Sequence, residues 1–182
     1  MVAPDVADVS VRVGWPADAP GIAAVQLRAW EQRYDGRMAA LLHERGIGQD
    51  DVAEAWRGTL ARPPQARHRA LVALERDRVV GFALTGPNGD PDADPATDGE
   101  VGEFTIDPGQ TRAGHGSRLL QACADTLAAD GFRRAVCWVD ATDDVLRSFL
   151  TSAGWGPDGA SRELADDAGS AVKQVRLHTS LT

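Results

Sequence analysis

Hydrophobic and polar positions alternate in the first part of the chain and then take a helical spacing. Residues 9–15 alternate and stop at a Trp-Pro pair, which predicts a first strand ended by the proline. In residues 19–33 the apolar positions recur every three or four residues, and Gly36 closes a predicted helix. Residues 50–60 show the same spacing and predict a second helix, which a Pro-Pro pair ends.

The middle of the chain changes to short runs that favour strands. Residues 70–74 and 79–84 are rich in β-formers and flank a charged turn, which predicts a hairpin. Residues 86–99 are rich in Pro, Gly and Asp and predict a mobile, acidic surface loop. Its aspartates do not form an EF-hand calcium loop, because Pro95 stands where that loop needs glycine and the final glutamate is missing. We therefore expect solvated carboxylates there.

The second half alternates strand and helix patterns. A strand over 100–106, a helix over 114–129 and an apolar strand over 135–139 predict a βαβ unit with a right-handed crossover. A helix over 143–152 and a strand over 171–179 with one wet face complete the chain. No repeat or linker divides it, so we expect one α/β domain over 1–182, with its core at about 9–180 and the mobile loop at 86–99.

Composition narrows the classes of partner. The 182 residues are 43% hydrophobic and carry a net charge of −8, so the protein repels nucleic acid and anionic membranes. Cys123 and Cys137 lie in apolar stretches and predict buried, reduced thiols. The chain has no signal-peptide pattern or membrane span, which predicts a cytoplasmic protein. The histidines have no ligand spacing, so we expect no metal.

Residues 105–120, TIDPGQTRAGHGSRLL, carry the most informative pattern. A strand ends at a proline, and a turn with glycines opens onto an amphipathic helix. The first N–H groups of a helix have no partners and carry a partial positive charge, so this turn predicts an anion site. Gly114 and Gly116 allow phosphate oxygens to approach the backbone, while Arg112 and Ser117 add a charge and a hydroxyl.

Two common phosphate motifs do not fit this turn. A Walker A loop needs a lysine before the Ser or Thr, but Gly116 precedes Ser117. A dinucleotide fingerprint needs a third glycine where Leu119 stands. Both readings are therefore disfavoured.

The turn resembles the acyl-CoA motif of the GNAT superfamily of N-acetyltransferases, P-x-x-(Q/R)-x-x-G-x-(G/A). Pro108, Gly114 and Gly116 match in place, while Thr111 occupies the Q/R position as a departure. The predicted order of elements is similar to that of a GNAT domain from residue 9 to the C-terminus. Phe149 with the later Gly-Trp pair resembles the family's F-Y-x-x-x-G-F segment, and residues 28–36 resemble the first helix of a bacterial branch.

The resemblance implies a GNAT fold, with a mixed, mostly antiparallel sheet, splayed parallel strands four and five, and helices on both faces. It implies that acetyl-CoA enters between those two strands as cosubstrate. The pantetheine arm would meet the main chain of Phe104 and Ile106. The pyrophosphate would meet the turn, namely Thr111, Arg112, Ala113, Gly114, His115, Gly116 and Ser117.

Acetyl transfer requires a neutral amine, so a base must take a proton from the ammonium. Glu100 is the first candidate, since several family members place a catalytic glutamate there; alternation would set it on the face of Gly102 and Phe104. Glu103 is the reserve candidate. The alternative is that both are ordinary exposed carboxylates of a strand. We expect the His115 side chain to point to water.

The fourth predicted helix departs from the family. Leu150 stands where family members often have a tyrosine that protonates the CoA thiolate. Asp143 stands where the family often has an asparagine near the CoA arm, and Phe149 belongs to the same segment. For Asp143 we favour a role as the helix N-cap.

These observations lead to one main hypothesis and a rival. The main hypothesis is an acetyl-CoA-dependent N-acetyltransferase that acetylates a primary amine of a small molecule or peptide by direct attack on the thioester. The negative charge favours a cationic acceptor. The rival is a non-catalytic CoA-sensing module, which Thr111 and Leu150 motivate. In this fold the C-terminal strand is the surface through which a homodimer would form.

Overall fold

The computed structural model describes residues 9–165 and 170–181. Seven strands form one mixed sheet in the order β1-β2-β3-β4-β5-β7-β6. The strands are β1 (Val9–Val13), β2 (Arg69–Glu75), β3 (Arg78–Pro87), β4 (Asp98–Ile106), β5 (Arg134–Asp140), β6 (Gly156–Ala165) and β7 (Ala171–Ser180). The helices are α1 (Ala19–Tyr34), α2 (Arg37–Glu44), α3 (Gln49–Ala61), α4 (His115–Ala129) and α5 (Asp144–Ser152).

The chain divides into two compact units. The first comprises, among the described residues, 9–84 and 103–123. Here β1 pairs antiparallel with β2, and α1 packs against α3. The Trp56 ring meets Phe82 edge to face with centroids 5.1 Å apart, and its Nε1 donates to Gln26 at 2.8 Å. Ile22 and Val72 are fully buried in the same cluster, so the predicted apolar stripes of α1 and α3 form this core.

α2 was not predicted, although α1 and α3 were. α1 ends where Asp35 takes a left-handed backbone at φ 48°, and Gly36 follows at φ 76°. A glycine there is typical of a helix end. The same turn leads directly into α2 at Arg37, so Gly36 separates two helices and does not begin a loop.

The second unit comprises residues 85–102 and the described residues from 124 onward. Its β4 and β5 are parallel, as predicted, with Asp98–Glu100 opposite Arg134–Val136. Both strands continue past this three-pair ladder. On one face Gly99 lies against α4 and the following turn, since a Cβ there would meet Leu127 at 2.8 Å and Phe132 at 3.2 Å. A side chain at position 99 would therefore have to displace the Leu127 side chain.

β7 pairs with β5 on one side and with β6 on the other, in both cases antiparallel. β7 was predicted, but β6 was not. The first half of β6 carries Gly156, Pro157 and Gly159, and the pairing with β7 shifts register between Pro157 and Ser161. An edge strand tolerates proline, glycine and irregular pairing, and these features hide it from a search for alternation.

Further findings concern the thiols and the apolar segments. Cys123 and Cys137 are buried, and neither forms a disulfide within the described residues, as predicted. Burial raises the pKa of Cys137 to about 12. Of the residues that the structure describes, no helix combines the length and the apolar character that crossing a membrane needs. That residues 1–182 act as one domain stays a prediction, and residues 1–8 lie outside the described part.

Candidate active site

The turn between β4 and α4 has the backbone of an anion site. Arg112 and Gly114 both take left-handed conformations, at φ 63° and 81°. α4 begins at His115, and its first hydrogen bond runs from the Arg118 amide to the Gly114 carbonyl at 3.2 Å. The earlier amides of the first turn have no acceptor within the helix. A left-handed turn before such amides forms a concave site for anions.

Most predicted residues of this turn are accessible. Thr111, Arg112, Ala113, Gly114 and Ser117 are exposed, and Gly116 is half-buried. Since Gly114 has φ 81°, a residue with a side chain would be strained there.

Arg118 belongs to the same neighbourhood and was missed by the sequence analysis. A Cβ built on Gly114 would lie 3.0 Å from Nη1 of Arg118, so this guanidinium lies beside the turn. It adds a second cation to Arg112. The signal was available, because residues four apart on a helix lie on one face.

His115 differs from its prediction as a water-facing side chain. It is 1% exposed, and within the described residues neither Nδ1 nor Nε2 has a hydrogen-bond partner. The prediction placed His115 in a loop, but α4 starts at this residue, so its side chain projects from the first turn of a packed helix. A buried imidazole without partners destabilises a fold, and such a cost is common at binding sites.

Asp107 anchors the start of the turn. Its carboxylate, 4% exposed as a residue, accepts hydrogen bonds from Arg28 Nη2 at 2.7 Å and from the Gly109 amide at 3.1 Å. Arg78 lies 3.9 Å away. Burial alone would raise the pKa of Asp107, but the bonds from Arg28 and Gly109 outweigh it and hold the pKa below its usual value.

β4 contains an irregularity at Glu103. This residue is exposed and has a left-handed backbone at φ 51°. The buried positions Gly99, Val101 and Phe104 are spaced by two and then by three residues. The expectation that Phe104 follows Glu100 in simple alternation is therefore wrong, because the extra residue shifts the phase as a β-bulge does. Ile106, the other predicted strand residue, is half-buried.

Glu100 lies at the end of the parallel ladder, opposite Val136 of β5. It is half-buried. Burial raises the pKa of Glu100, and the negative charge of Asp90 raises it further, while Arg162 and the Gly89 amide act in the opposite direction. A carboxyl group with a raised pKa near a strand end is a candidate proton acceptor.

The supposedly wet face of β7 carries a buried arginine. Arg176 is 5% exposed and bonds three aspartates: Asp92 at 2.6 and 2.7 Å, Asp158 at 2.7 Å and Asp90 at 2.9 Å. The expectation of a wet face is wrong at Arg176. The expectation of solvated carboxylates is wrong for Asp90, whose side chain is 11% exposed, because it serves as a counter-ion to β7. The Asp92 side chain bonds Arg176 as well but stays 62% exposed. Whether this segment is mobile stays a prediction.

In α5, the N-cap role of Asp143 is confirmed, since its side chain accepts from the Leu146 amide at 3.0 Å. Phe149 is half-buried. Leu150 is fully buried, so the position where the family often has a tyrosine belongs to the core. Within residues 9–165 and 170–181, no group of His, Cys, Asp or Glu side chains is arranged to hold a metal ion.

Comparison with known proteins identifies the family. The family model described as Acetyltransferase (GNAT) family matches residues 26–155, which include the turn before α4, Glu100 and α5. The chain therefore belongs to the GNAT acetyltransferase family.

Solved structures of this fold are similar over nearly the whole chain. An N-acetyltransferase from Staphylococcus aureus Mu50 is 18% identical, with a TM-score of 0.70 and coverage of 96% of this chain and 99% of the other. The PaiA N-acetyltransferase from Thermoplasma acidophilum in complex with coenzyme A is 16% identical, with a TM-score of 0.72 and coverage of 95% and 99%. YncA from Salmonella typhimurium, a putative acetyltransferase with acetyl-CoA, is 18% identical, with a TM-score of 0.65 and coverage of 96% and 94%. A search of curated proteins found no match.

Proposed function

We propose that the protein is an acetyl-CoA-dependent N-acetyltransferase that acetylates a primary amine of a small molecule or peptide. The observation that carries this proposal is the left-handed turn at Arg112 and Gly114, which opens onto the N-terminus of α4 in a chain of the GNAT family. The first amides of a helix have no acceptor within the helix. The coenzyme A and acetyl-CoA bound by PaiA and YncA support the choice of cosubstrate.

The turn fits an acyl-CoA pyrophosphate in both geometry and charge. The amides of residues 114–117 would hold its oxygens, and the guanidinium groups of Arg112 and Arg118 would neutralise its charge. The hydroxyl of Ser117 is exposed and adds a donor. The main chain of Phe104 and Ile106 would bind the pantetheine arm, and no metal takes part.

Acetyl-CoA supplies the acetyl thioester on which the acceptor nitrogen forms its new bond, as the carbon–sulfur bond breaks. Glu100 accepts the proton that this nitrogen loses. An alkyl ammonium has a pKa near ~10, so a carboxylate with a raised pKa is a better proton acceptor than an ordinary one. Glu103 is the reserve candidate, although its exposure favours an ordinary strand carboxylate. Water reprotonates the CoA thiolate, since the Leu150 side chain has no acidic proton to donate.

The acceptor is best described as a cation. The protein has a net charge of −8, which attracts cations even though Arg176 pairs with Asp90 and Asp92. Such a field raises the local concentration of an ammonium group and speeds its arrival. Polyamines, amino sugars and peptide N-termini share this chemistry.

Paired substitutions test the assignment of the base and of the cosubstrate turn. Glu100→Gln should lower kcat near neutral pH by about 100-fold or more while acetyl-CoA binds as before. Glu103→Gln, a matched change three residues away, should leave kcat nearly unchanged. Gly116→Val should abolish acetyl-CoA binding, measured by calorimetry, with an unchanged circular dichroism spectrum. Full turnover by Glu100→Gln would show that Glu100 is not the base. Retained acetyl-CoA binding by Gly116→Val would show that the turn between β4 and α4 does not bind the pyrophosphate.

A further inference from the structure

One face of the second unit's sheet is polar, and its residues are in register. Glu100 of β4 lies opposite Val136 of β5, which lies opposite His178 of β7. Two residues further along β5, Trp138 lies opposite Arg176. Because side chains alternate along a strand and paired residues share a face, Glu100, Trp138 and Arg176 lie on the same face.

The turn over residues 88–90 is hydrogen-bonded to three strands, namely β4, β5 and β7. The Asn88 amide donates to the Asp98 carbonyl of β4 at 2.9 Å, and the Asn88 side chain accepts from the Asp90 amide at 2.9 Å. The Asp90 carboxylate accepts from Trp138 Nε1 of β5 at 3.0 and 3.1 Å and from Arg176 of β7 at 2.9 Å. Between these two anchors, the Gly89 amide donates to Glu100.

The contacts at Asp90 hold the 88–90 turn in a fixed position. Arg176 is nearly inaccessible and is held by Asp92 and Asp158 as well, so it offers Asp90 a donor in a fixed position. The guanidinium of Arg162 lies over the Trp138 ring, 4.3 Å from its centroid, and so packs against the side chain whose Nε1 donates to Asp90. Such contacts lower the freedom of the Asp90 carboxylate.

We propose that Asp90 is a positioning residue for Glu100: through the 88–90 turn it fixes the Glu100 carboxyl and places a negative charge beside it. This inference rests on the proposed function, in which Glu100 is the base. Asp90 itself acts through Glu100 and is not a proton acceptor in this scheme.

The charged and titratable surroundings of Glu100 come from several elements. The 88–97 segment contributes Asp90, β6 contributes Arg162, and β5 contributes Cys137, whose own pKa rises partly because of Glu100. β7 contributes His178, which lies opposite Val136, the residue that pairs with Glu100. Since Arg162 favours the charged form of Glu100 and Asp90 disfavours it, removal of the Asp90 charge should lower the pKa of Glu100.

The test compares two charge removals within one segment. Asp90→Asn keeps an oxygen that can accept from Trp138 and removes the charge. Asp94→Asn is the matched control, since Asp94 also belongs to the 88–97 segment, where its side chain accepts from the Ala96 amide of the same segment. The titration of the Glu100 carboxyl carbon is followed by NMR without substrates, with Glu100→Gln to assign the signal.

The inference predicts that the Glu100 titration moves to lower pH in Asp90→Asn and stays in place in Asp94→Asn. In the full reaction, the acidic limb of kcat should move in the same direction. An unmoved titration in a folded Asp90→Asn protein overturns the inference, as does an equal shift in both variants. These results are independent of whether Glu100→Gln retains turnover, which decides the proposed function alone.

Discussion

Arg28 of α1 donates two hydrogen bonds to the Asp107 carboxylate at the end of β4, from Nη2 at 2.7 Å and from Nε at 3.3 Å. Because Asp107 also accepts from the Gly109 amide, this pair joins α1 to the start of the turn between β4 and α4. Asp107→Ala should lower the free energy of unfolding by about 2 kcal/mol, as loss of hydrogen bonds to a buried charged group does. It should also weaken acetyl-CoA binding about tenfold or more, measured by calorimetry.

Asp144→Ala is the control for that change. It breaks the 3.2 Å pair of Asp144 with Arg147, in which the Asp144 side chain is 85% exposed. An exposed pair of this kind contributes less than about 1 kcal/mol, so denaturant unfolding should change little and acetyl-CoA binding should stay intact. Equal losses in the two variants would contradict the anchoring role of Asp107.

Gly114 and Gly131 allow backbone strain to be separated from ligand binding. Both have positive φ, 81° and 90°, and Gly131 follows the C-terminus of α4. Alanine at either position should cost about 1 kcal/mol of stability, because the left-handed region is unfavourable for a residue with Cβ. Only Gly114→Ala should weaken acetyl-CoA binding. If Gly131→Ala weakened it equally, the turn at Gly114 would have no special role.

Arg176→Met should be strongly destabilising. The substitution leaves Asp90, Asp92 and Asp158 without their shared cation, and loss of one partner from a buried ionic group costs about 3 kcal/mol or more. Denaturant unfolding of wild type and variant measures this difference. A change below about 1 kcal/mol would mean that the network is no stronger than exposed ion pairs.

The same arginine sets the acid stability of the protein. The hydrogen bond from Arg176 lowers the pKa of Asp92 to about 2, and for Asp158 the contacts with Ala160 and Arg176 outweigh burial and lower its pKa as well. A lowered folded-state pKa adds stability above the usual aspartate range, and this stability is lost as the pH falls towards 2. Wild-type unfolding should therefore depend more steeply on pH below about 4 than that of Arg176→Met. Equal slopes would contradict the assignment.

His115→Leu should separate stability from binding. Both ring nitrogens of His115 are buried without partners among the described residues, so a leucine should raise the melting temperature. We expect acetyl-CoA affinity to change little, since residue 115 would contribute its backbone amide, which a leucine keeps. Thermal melting and calorimetry measure the two effects. A lower melting temperature would show that the imidazole is satisfied in solution.

The parts of the fold that the sequence predicts are those with a strong local period. α1 and α3 follow from apolar stripes at helical spacing, and α5 begins at the predicted cap Asp143. α2 follows Gly36 without a loop, so its start looks like the end of α1. β6 has glycines, a proline and one partner, β7, so it carries no alternating pattern.

In the candidate site, too, the features set by local sequence were predictable and those set by long-range contacts were not. The turn between β4 and α4 was predictable because glycine and proline spacing is local. The bonds of Arg176 to Asp90 and Asp92 join residues 86 and 84 positions apart, and no short-range pattern reports them. The phase of β4 changes at Glu103, whose backbone depends on tertiary structure and not on its own preference. The enclosure of His115 likewise arises from packing around the first turn of α4.

The most direct test of the account is a reaction of the purified protein with acetyl-CoA and a panel of amines, with detection of free CoA thiol and of the acetylated product by mass spectrometry. The panel contains polyamines, amino sugars, peptides with free N-termini and neutral or acidic amines as controls. The account predicts saturable acetyl-CoA binding, with thiol release and one N-acetyl product for a cationic amine. Binding without product for any amine would contradict the transferase and favour a CoA-sensing module, and absence of binding would contradict the role of the turn at Gly114.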